Sequence, residues 1–252
     1  MNKIKVVNNI VIPYDGDNII ITNNDITFNN SGNYTIEYID CDDIKLNIRI
    51  NKGTFIHLFE YSNNSDFLIN NSYDVLGNLI VGKFYANSNT NENIDIKLNS
   101  INASVKYNFS SISSGYDNYN ISIYHLCNNT SSDIFNRTIA KKNSSNVFNI
   151  NSYVENGILN TYLNQQTKIV TLGDSNNRVN PNMFIGEAST TGIHSSVIGT
   201  INEEDIFYLM SRGINYKTAI NLIIKGMIIS NINPDIEYRE MILNILSDLG
   251  GE

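Results

Sequence analysis

Three histidines, His57, His125 and His194, and two cysteines, Cys41 and Cys127, are the side chains of this sequence best suited to hold a soft metal or to exchange protons near neutral pH. His125 and Cys127 stand two positions apart. On one strand they would face the same side, where an imidazole and a thiolate could share a metal or a cluster. Ile121 and Ile123 have the same parity, so the plain structural reading is a packed core histidine beside a buried thiol. His194 stands alone in Thr191-Gly192-Ile193-His194-Ser195-Ser196 as a single candidate ligand. Asp40, Asp42 and Asp43 flank Cys41, and Asp15-Gly16-Asp17 forms a second acidic pair, so an oxygen-lined cation site or a clustered acid and base is conceivable. Neither group has the spacing of a calcium loop, and acidic turns explain both. The sequence lacks H-E-x-x-H, G-x-S-x-G and a Walker-type glycine loop, so it contains no motif for a zinc protease, a serine hydrolase or a nucleotide site of its own.

The elements that must position these residues change character once along the chain. Up to about Ile198 the hydrophobic period is two: Ile44, Leu46, Ile48 and Ile50 alternate with Lys45, Asn47 and Arg49, and Ile94, Ile96 and Leu98 repeat the pattern. Clusters such as Ser62-Asn63-Asn64-Ser65-Asp66 separate these short strands and supply turn chemistry. A sandwich, a barrel and a β-solenoid all fit. Asparagine tolerates left-handed backbone and can ladder with itself between stacked coils, which adds weight to the solenoid. After Gly199 three helices are expected: one capped by Asn202, one capped by Asn215, and one capped by Asn233 with Pro234 at its first helical position and Tyr238, Ile242, Ile245 and Leu249 on one face. The expected organisation is a β core over 1–200 and a helical module over 201–252.

The chain has 252 residues and a formal charge of −8. A chain of this size removes roughly 70–75% of its unfolded surface from water, so it holds a core without disulfide or metal staples. The acidic balance disfavours nucleic acid as a partner. The most apolar stretch, Ala219 to Ile229, is interrupted by Asn221, Lys225 and Gly226 and falls short of the ~20 residues a membrane span requires. Two cysteines without a CxxC spacing, and an N-terminus without a long apolar run, lead us to expect a reducing, cytoplasmic setting.

The stretch from Asn180 to Ile214 resembles the C-terminal signature of the SufB/SufD family of iron-sulfur cluster assembly proteins. Asn180-Pro181-Asn182-Met183-Phe184-Ile185 is similar to the family's proline-containing strand, and His194 falls where SufD-type members carry a histidine. Val197-Ile198-Gly199, Ile201, Glu203-Glu204, Phe207-Tyr208-Leu209 and Ser211-Arg212-Gly213-Ile214 resemble its helical signature closely. Upstream, Ile123-Tyr124-His125-Leu126 and the run from Gln166-Thr167 to Leu172-Gly173-Asp174 resemble two further strands in the same order. SufB-type scaffolds have a cysteine at the place of Thr167 and an acidic residue at that of Ser195, and SufD-type members often have a cysteine at that of Gly192. The sequence therefore looks more like SufD than SufB.

The resemblance implies a mainly β fold, a right-handed parallel β-helix followed by a small helical module. It implies a non-catalytic scaffold subunit that binds no nucleotide and works with a SufC-like ABC-type ATPase. Phe207, Tyr208, Ser211, Arg212, Gly213 and Ile214 would dock that ATPase. The β-helix end near His194 would pair with a SufB-like subunit or a second copy, and a transient iron-sulfur cluster at that interface would use His194. Family members commonly carry a further N-terminal region, so the sequence resembles a shortened member. Two other functions compete: a β-solenoid polysaccharide lyase or hydrolase working through Asp40, Asp42 and Asp43, and a purely structural β-solenoid.

Overall fold

The period of two is realised as stacked coils in the computed structural model, which describes residues 2–12 and 18–251; Asp15-Gly16-Asp17 lies outside them. Two antiparallel hairpins begin the chain, β1 (Asn2–Val7) with β2 (Ile10–Val11) and β3 (Ile19–Thr22) with β4 (Asp25–Phe28). From there the strands alternate between two parallel sheets. β5 (Gly32–Ile39) joins the first and β6 (Asp43–Ile44) and β7 (Asn47–Ile50) the second. β8 (Phe55–Ser62), β10 (Asn78–Tyr85), β12 (Ser104–Ser113), β14 (Ser131–Lys141), β16 (Tyr162–Leu172) and β18 (Thr191–Gly199) continue the first sheet. β9 (Leu68–Val75), β11 (Asn91–Leu98), β13 (Tyr116–His125), β15 (Ser145–Val154) and β17 (Asn176–Ile185) continue the second. The result is a parallel β-solenoid of about 6 turns.

Alternate residues of each strand point into the lumen between the sheets, where Ile36, Leu58, Val81, Tyr107, Ile121, Phe148 and Ile169 share one core. Asparagine has both roles expected of it. Every non-glycine residue with positive φ among those described is Asn or Asp, for example Asn102 (φ 65) and Asn143 (φ 66), and all of these but Asn233 turn the corners between strands. On the outer face of the second sheet, Asn180, Asn149, Asn120 and Asn93 each donate from Nδ2 to the amide oxygen of the asparagine one coil before, ending at Asn70. The in-register ladder follows from pairings such as Asn93↔Asn120 and Asn120↔Asn149.

Helices α1 (Glu203–Ser211), α2 (Tyr216–Ile232) and α3 (Ile236–Ile245) follow, then a 3-10 turn over Leu246–Gly251. Asn202 and Asn215 cap α1 and α2 as expected. The third cap differs. Asn233 ends α2 in the left-handed conformation (φ 44, ψ 58), donating its N–H to the Ile229 carbonyl, and Asp235 caps α3 through the Tyr238 N–H. An asparagine immediately after a helix can end it as readily as begin the next, and here it closes α2. None of the helices among the described residues is long and apolar enough to cross a membrane.

The change from strand to helix lies at Gly199–Glu203, near the expected boundary, but the two parts share an apolar core. Phe59, Tyr61, Phe84, Ile112, Ile139 and Val170 on the outer face of the first sheet pack against Ile224, Ile228, Tyr238 and Ile242. Gly82 allows the closest approach, because a Cβ there would lie 2.8 Å from the Ile232 carbonyl oxygen. Asn231 donates to the Phe109 and Phe135 carbonyls, satisfying backbone beneath α2.

Candidate functional site

The two ends of the solenoid differ. At the N-terminal end the short return strands β2 and β3 occupy the sheet edges, whereas at the C-terminal end β17 and β18 pair on one side only among the described residues. Backbone direction distinguishes these two open edges. In β17 the Asn176 and Gly186 N–H groups donate inward, so the odd residues face outward, among them Pro181, which has no N–H to offer a new strand. In β18 the Thr191 N–H donates inward to Thr161, so Gly192, His194, Ser196 and Ile198 turn their N–H and C=O groups to the open edge. A pairing template is therefore present on β18, with His194 at its centre, and is interrupted on β17.

The same residues carry lumen-facing side chains. A Cβ built on Gly192 would meet the Met183 Sδ and Ile185 Cδ1 at 3.0 Å across the lumen, and His194 shares that parity. His194 is in register with Gln165, and Ser196 with Thr167. Beneath them the lumen is polar and uncharged. Gln165 donates from Nε2 to Ser152 Oγ (2.8 Å) and the Asn182 carbonyl (3.2 Å), and Asn136 donates to Thr167 Oγ1 (3.1 Å). His194 thus stands exposed at the mouth of the solenoid above a neutral polar floor.

His125 and Cys127 do not have the common strand that the sequence reading assigns to them. β13 ends at His125, so Cys127 lies beyond the strand in the following turn and the two do not share a strand face. His125 is 1% exposed, with Nδ1 at 2.8 Å from Thr130 Oγ1 and Nε2 at 3.0 Å from Ser132 Oγ. Thr130 spends its own proton on the Cys127 carbonyl, so Nδ1 donates to Thr130 and Nε2 accepts from Ser132. Both nitrogens are engaged, and burial pushes the imidazole pKa down to about 4. Cys41 is buried and its thiol contacts the Val6 and Ile39 carbonyls; burial raises its pKa. Asp40 and Asp42 lie in an exposed turn and Asp43, also exposed, opens β6; Asp40 has φ 50, and the Asp42 carboxylate is held below its usual pKa range by the Asn9 side-chain amide. No group of three His, Cys, Asp or Glu side chains arranged for a metal ion occurs among the described residues.

On α1, Ile206 anchors the helix to the core while Phe207 (74% exposed), Tyr208 and Met210 face solvent, edged by Glu203, Glu204 and Tyr216. Arg212 lies over the Tyr208 ring at 5.3 Å, the Ser211 hydroxyl donates to the Tyr208 carbonyl, and Gly213 (φ 87) turns the chain so that Ile214 packs back toward the helical core. Three large apolar side chains thus share the exposed face of this short surface helix.

Sequence reasoning missed a second polar constellation. Glu60, Lys83 and Glu92 meet in the lumen, with Lys83 Nζ 3.1 Å from each carboxylate and all three fully buried. Parity was the available signal: Glu60 follows Ile56 and Leu58, Lys83 follows Val81, and Glu92 precedes Ile94 and Ile96, all at lumen-facing positions.

Residues 80–227, more than half of the chain, match the family model described as SUF system FeS cluster assembly, SufBD core domain. The chain belongs to the SufBD family. Within it, the iron-sulfur cluster assembly protein SufD of Bacillus subtilis (strain 168) is 26% identical over 118 residues, covering 46% of this chain and 27% of that relative. The matched part thus spans about a quarter of the relative's length. The SufBD match extends from β10 into α2 and so contains His125, His194 and the exposed face of α1.

Proposed function

We propose that this chain is a SufD-like scaffold subunit of iron-sulfur cluster assembly, non-catalytic in itself, working with a SufC-like ABC-type ATPase that supplies the nucleotide chemistry. The asymmetry of the solenoid supports this reading most: one end is returned on itself by hairpins, and the other presents an unpaired β18 edge with His194 at the lumen mouth. Backbone pairing along β18 would join the chain to a SufB-like subunit or to a second copy. The apolar face of α1, with Phe207 and Tyr208 outward, would receive the ATPase.

The division of labour has a physical basis. The ATPase closes on nucleotide, and two scaffold chains docked through their helices move against each other. That motion opens the interface to iron and sulfide, the cargo of the complex. A neutral imidazole at His194 is a serviceable iron ligand, and thiolate is a better one. Thr167, Ser195 and Gly192 provide no thiolate or carboxylate beside it, so the remaining ligands of a transient cluster come from the partner subunit. The reading assigns the protein to the cytoplasm, where thiols stay reduced. Co-expression with the ATPase and purification without oxygen test it: a stable complex is expected, and failure of the two chains to co-elute contradicts the proposal.

A further inference from the structure

The Glu60, Lys83 and Glu92 cluster lies in the middle of the lumen, away from the open mouth. Glu60 is on β8, Lys83 is its direct register partner on β10, and Glu92 reaches across from β11. Glu60 is fully supplied with donors: Tyr38 Oη at 2.9 Å and Lys83 at 3.1 Å on Oε2, and the Tyr73 hydroxyl on Oε1. Glu92 is not. Lys83 (3.1 Å) and the Tyr85 hydroxyl (3.2 Å) both donate to Oε1, while Oε2 is buried with no hydrogen-bond partner among the described residues.

Charge counting leads to the same atom. Two carboxylates and one ammonium, all three side chains fully buried, leave one uncompensated negative charge, which a low-dielectric interior does not tolerate. The Lys83 ammonium is well held: it lies 5.4–5.8 Å from the ring centroids of Tyr73, Tyr85 and Tyr107 in addition to its two carboxylates. Burial works against that charge, but Glu60 and Glu92 outweigh it and keep the Lys83 pKa raised. The other titratable groups facing Glu92 are tyrosines whose ionisation burial suppresses: Tyr38 on β5, Tyr73 on β9, Tyr85 on β10, and Tyr107 and Tyr119 on β12 and β13. Asp117, also on β13, is held by the Ser113 hydroxyl and the Thr90 N–H. None of these can supply the missing positive charge.

We propose that the folded solenoid binds one proton on Glu92 Oε2 at neutral pH, so that the cluster is neutral as a whole and stability falls as this proton is lost. Burial raises the Glu92 pKa against the opposing pull of Lys83, in agreement with this assignment. The sign follows from linkage. The unfolded chain ionises Glu92 at its ordinary value, so unfolding above that pH releases a proton, and the stabilisation is lost as pH rises through the folded value. One proton corresponds to about a tenfold increase in the unfolding constant per pH unit over that window. The proposal is independent of the assembly role.

Infrared spectroscopy of the full chain labelled with ¹³C-glutamate tests it. Labelling removes Asp117 from consideration. Near neutral pH the folded protein should show a protonated glutamic acid carbonyl band that disappears in Glu92→Gln, and also in Glu60→Gln, where the single remaining carboxylate pairs ionised with Lys83. Urea unfolding should give a wild type that weakens with rising pH by about tenfold per unit relative to Glu92→Gln. Absence of the band from folded wild type overturns the proposal, as does its survival in Glu92→Gln or an equal pH slope in the two proteins. Absence of the band from folded wild type overturns the proposal even if a variant does not fold.

Discussion

Replacing His125 with glutamine should remove a specific part of the acid sensitivity of this protein. The imidazole is buried as the neutral form, donating to Thr130 and accepting from Ser132, and its pKa falls from an ordinary 6.5 to about 4. A depressed folded pKa means that the unfolded chain takes up a proton which the folded chain refuses. Stability contributed by the neutral group is complete above the unfolded value and is lost as pH falls toward the folded one. At 1.36 kcal/mol per unit, the interval corresponds to on the order of 3 kcal/mol. Glutamine can offer an N–H to Thr130 and an oxygen to Ser132 without titrating. Urea unfolding of both proteins at a series of pH values between about 7 and about 4, near the limits of this interval, gives two curves whose difference isolates His125. The carboxylates and Glu92 contribute equally to each. We expect the wild type to lose about 3 kcal/mol more than His125→Gln over that interval. Parallel curves would refute the neutral, doubly bonded histidine.

Two further substitutions test other parts of the structure. Asn120→Ala removes two rungs of the outer asparagine ladder, its donation to Asn93 and its acceptance from Asn149, and should cost about 1–2 kcal/mol in thermal unfolding. Asn182→Ala removes a single bond, to Asn151, at the open edge and should cost less; equal costs would mean that the ladder adds nothing. Phe207→Asp alters a side chain that is 74% exposed, so stability should move by no more than about 0.5 kcal/mol while co-elution with the ATPase on size exclusion is lost. Persistent co-elution would remove α1 from the docking surface.

Most of the architecture was legible because a lumen imposes strict parity. Ile44, Ile48, Ile94 and Ile121 announce half-buried strands, and the asparagine runs announce corners. Whether those strands stack in parallel depends on pairings with no fixed sequence repeat, since successive coils differ in length; the asparagine pattern hinted at it, and the family resemblance carried the expectation. The layering of the helices was hidden for a different reason. Phe59, Phe84 and Ile139 break the alternation on strands covered on both faces, a signal that resembles noise until the covering helix is known. At the site, His194 was visible through its neighbours, but its position at the lumen mouth came from register with Gln165 and the contact between Gly192 and Met183. The shared strand face expected of His125 and Cys127 is absent because the strand ends at His125 and Thr130 folds the turn back onto it. The buried charges of Glu60, Lys83 and Glu92 had the right parity but the wrong chemistry for a core, and only the fold shows that they meet.

The most direct test of the assembly role is the iron and sulfide content of the complete complex carrying His194→Ala, purified without oxygen, measured alongside thermal unfolding of the isolated variant. His194 is exposed on the open β18 edge, and truncating it creates no core cavity. The account predicts unchanged unfolding, unchanged ATPase binding and a marked loss of iron and sulfide. Normal iron and sulfide content in the His194→Ala complex would contradict it.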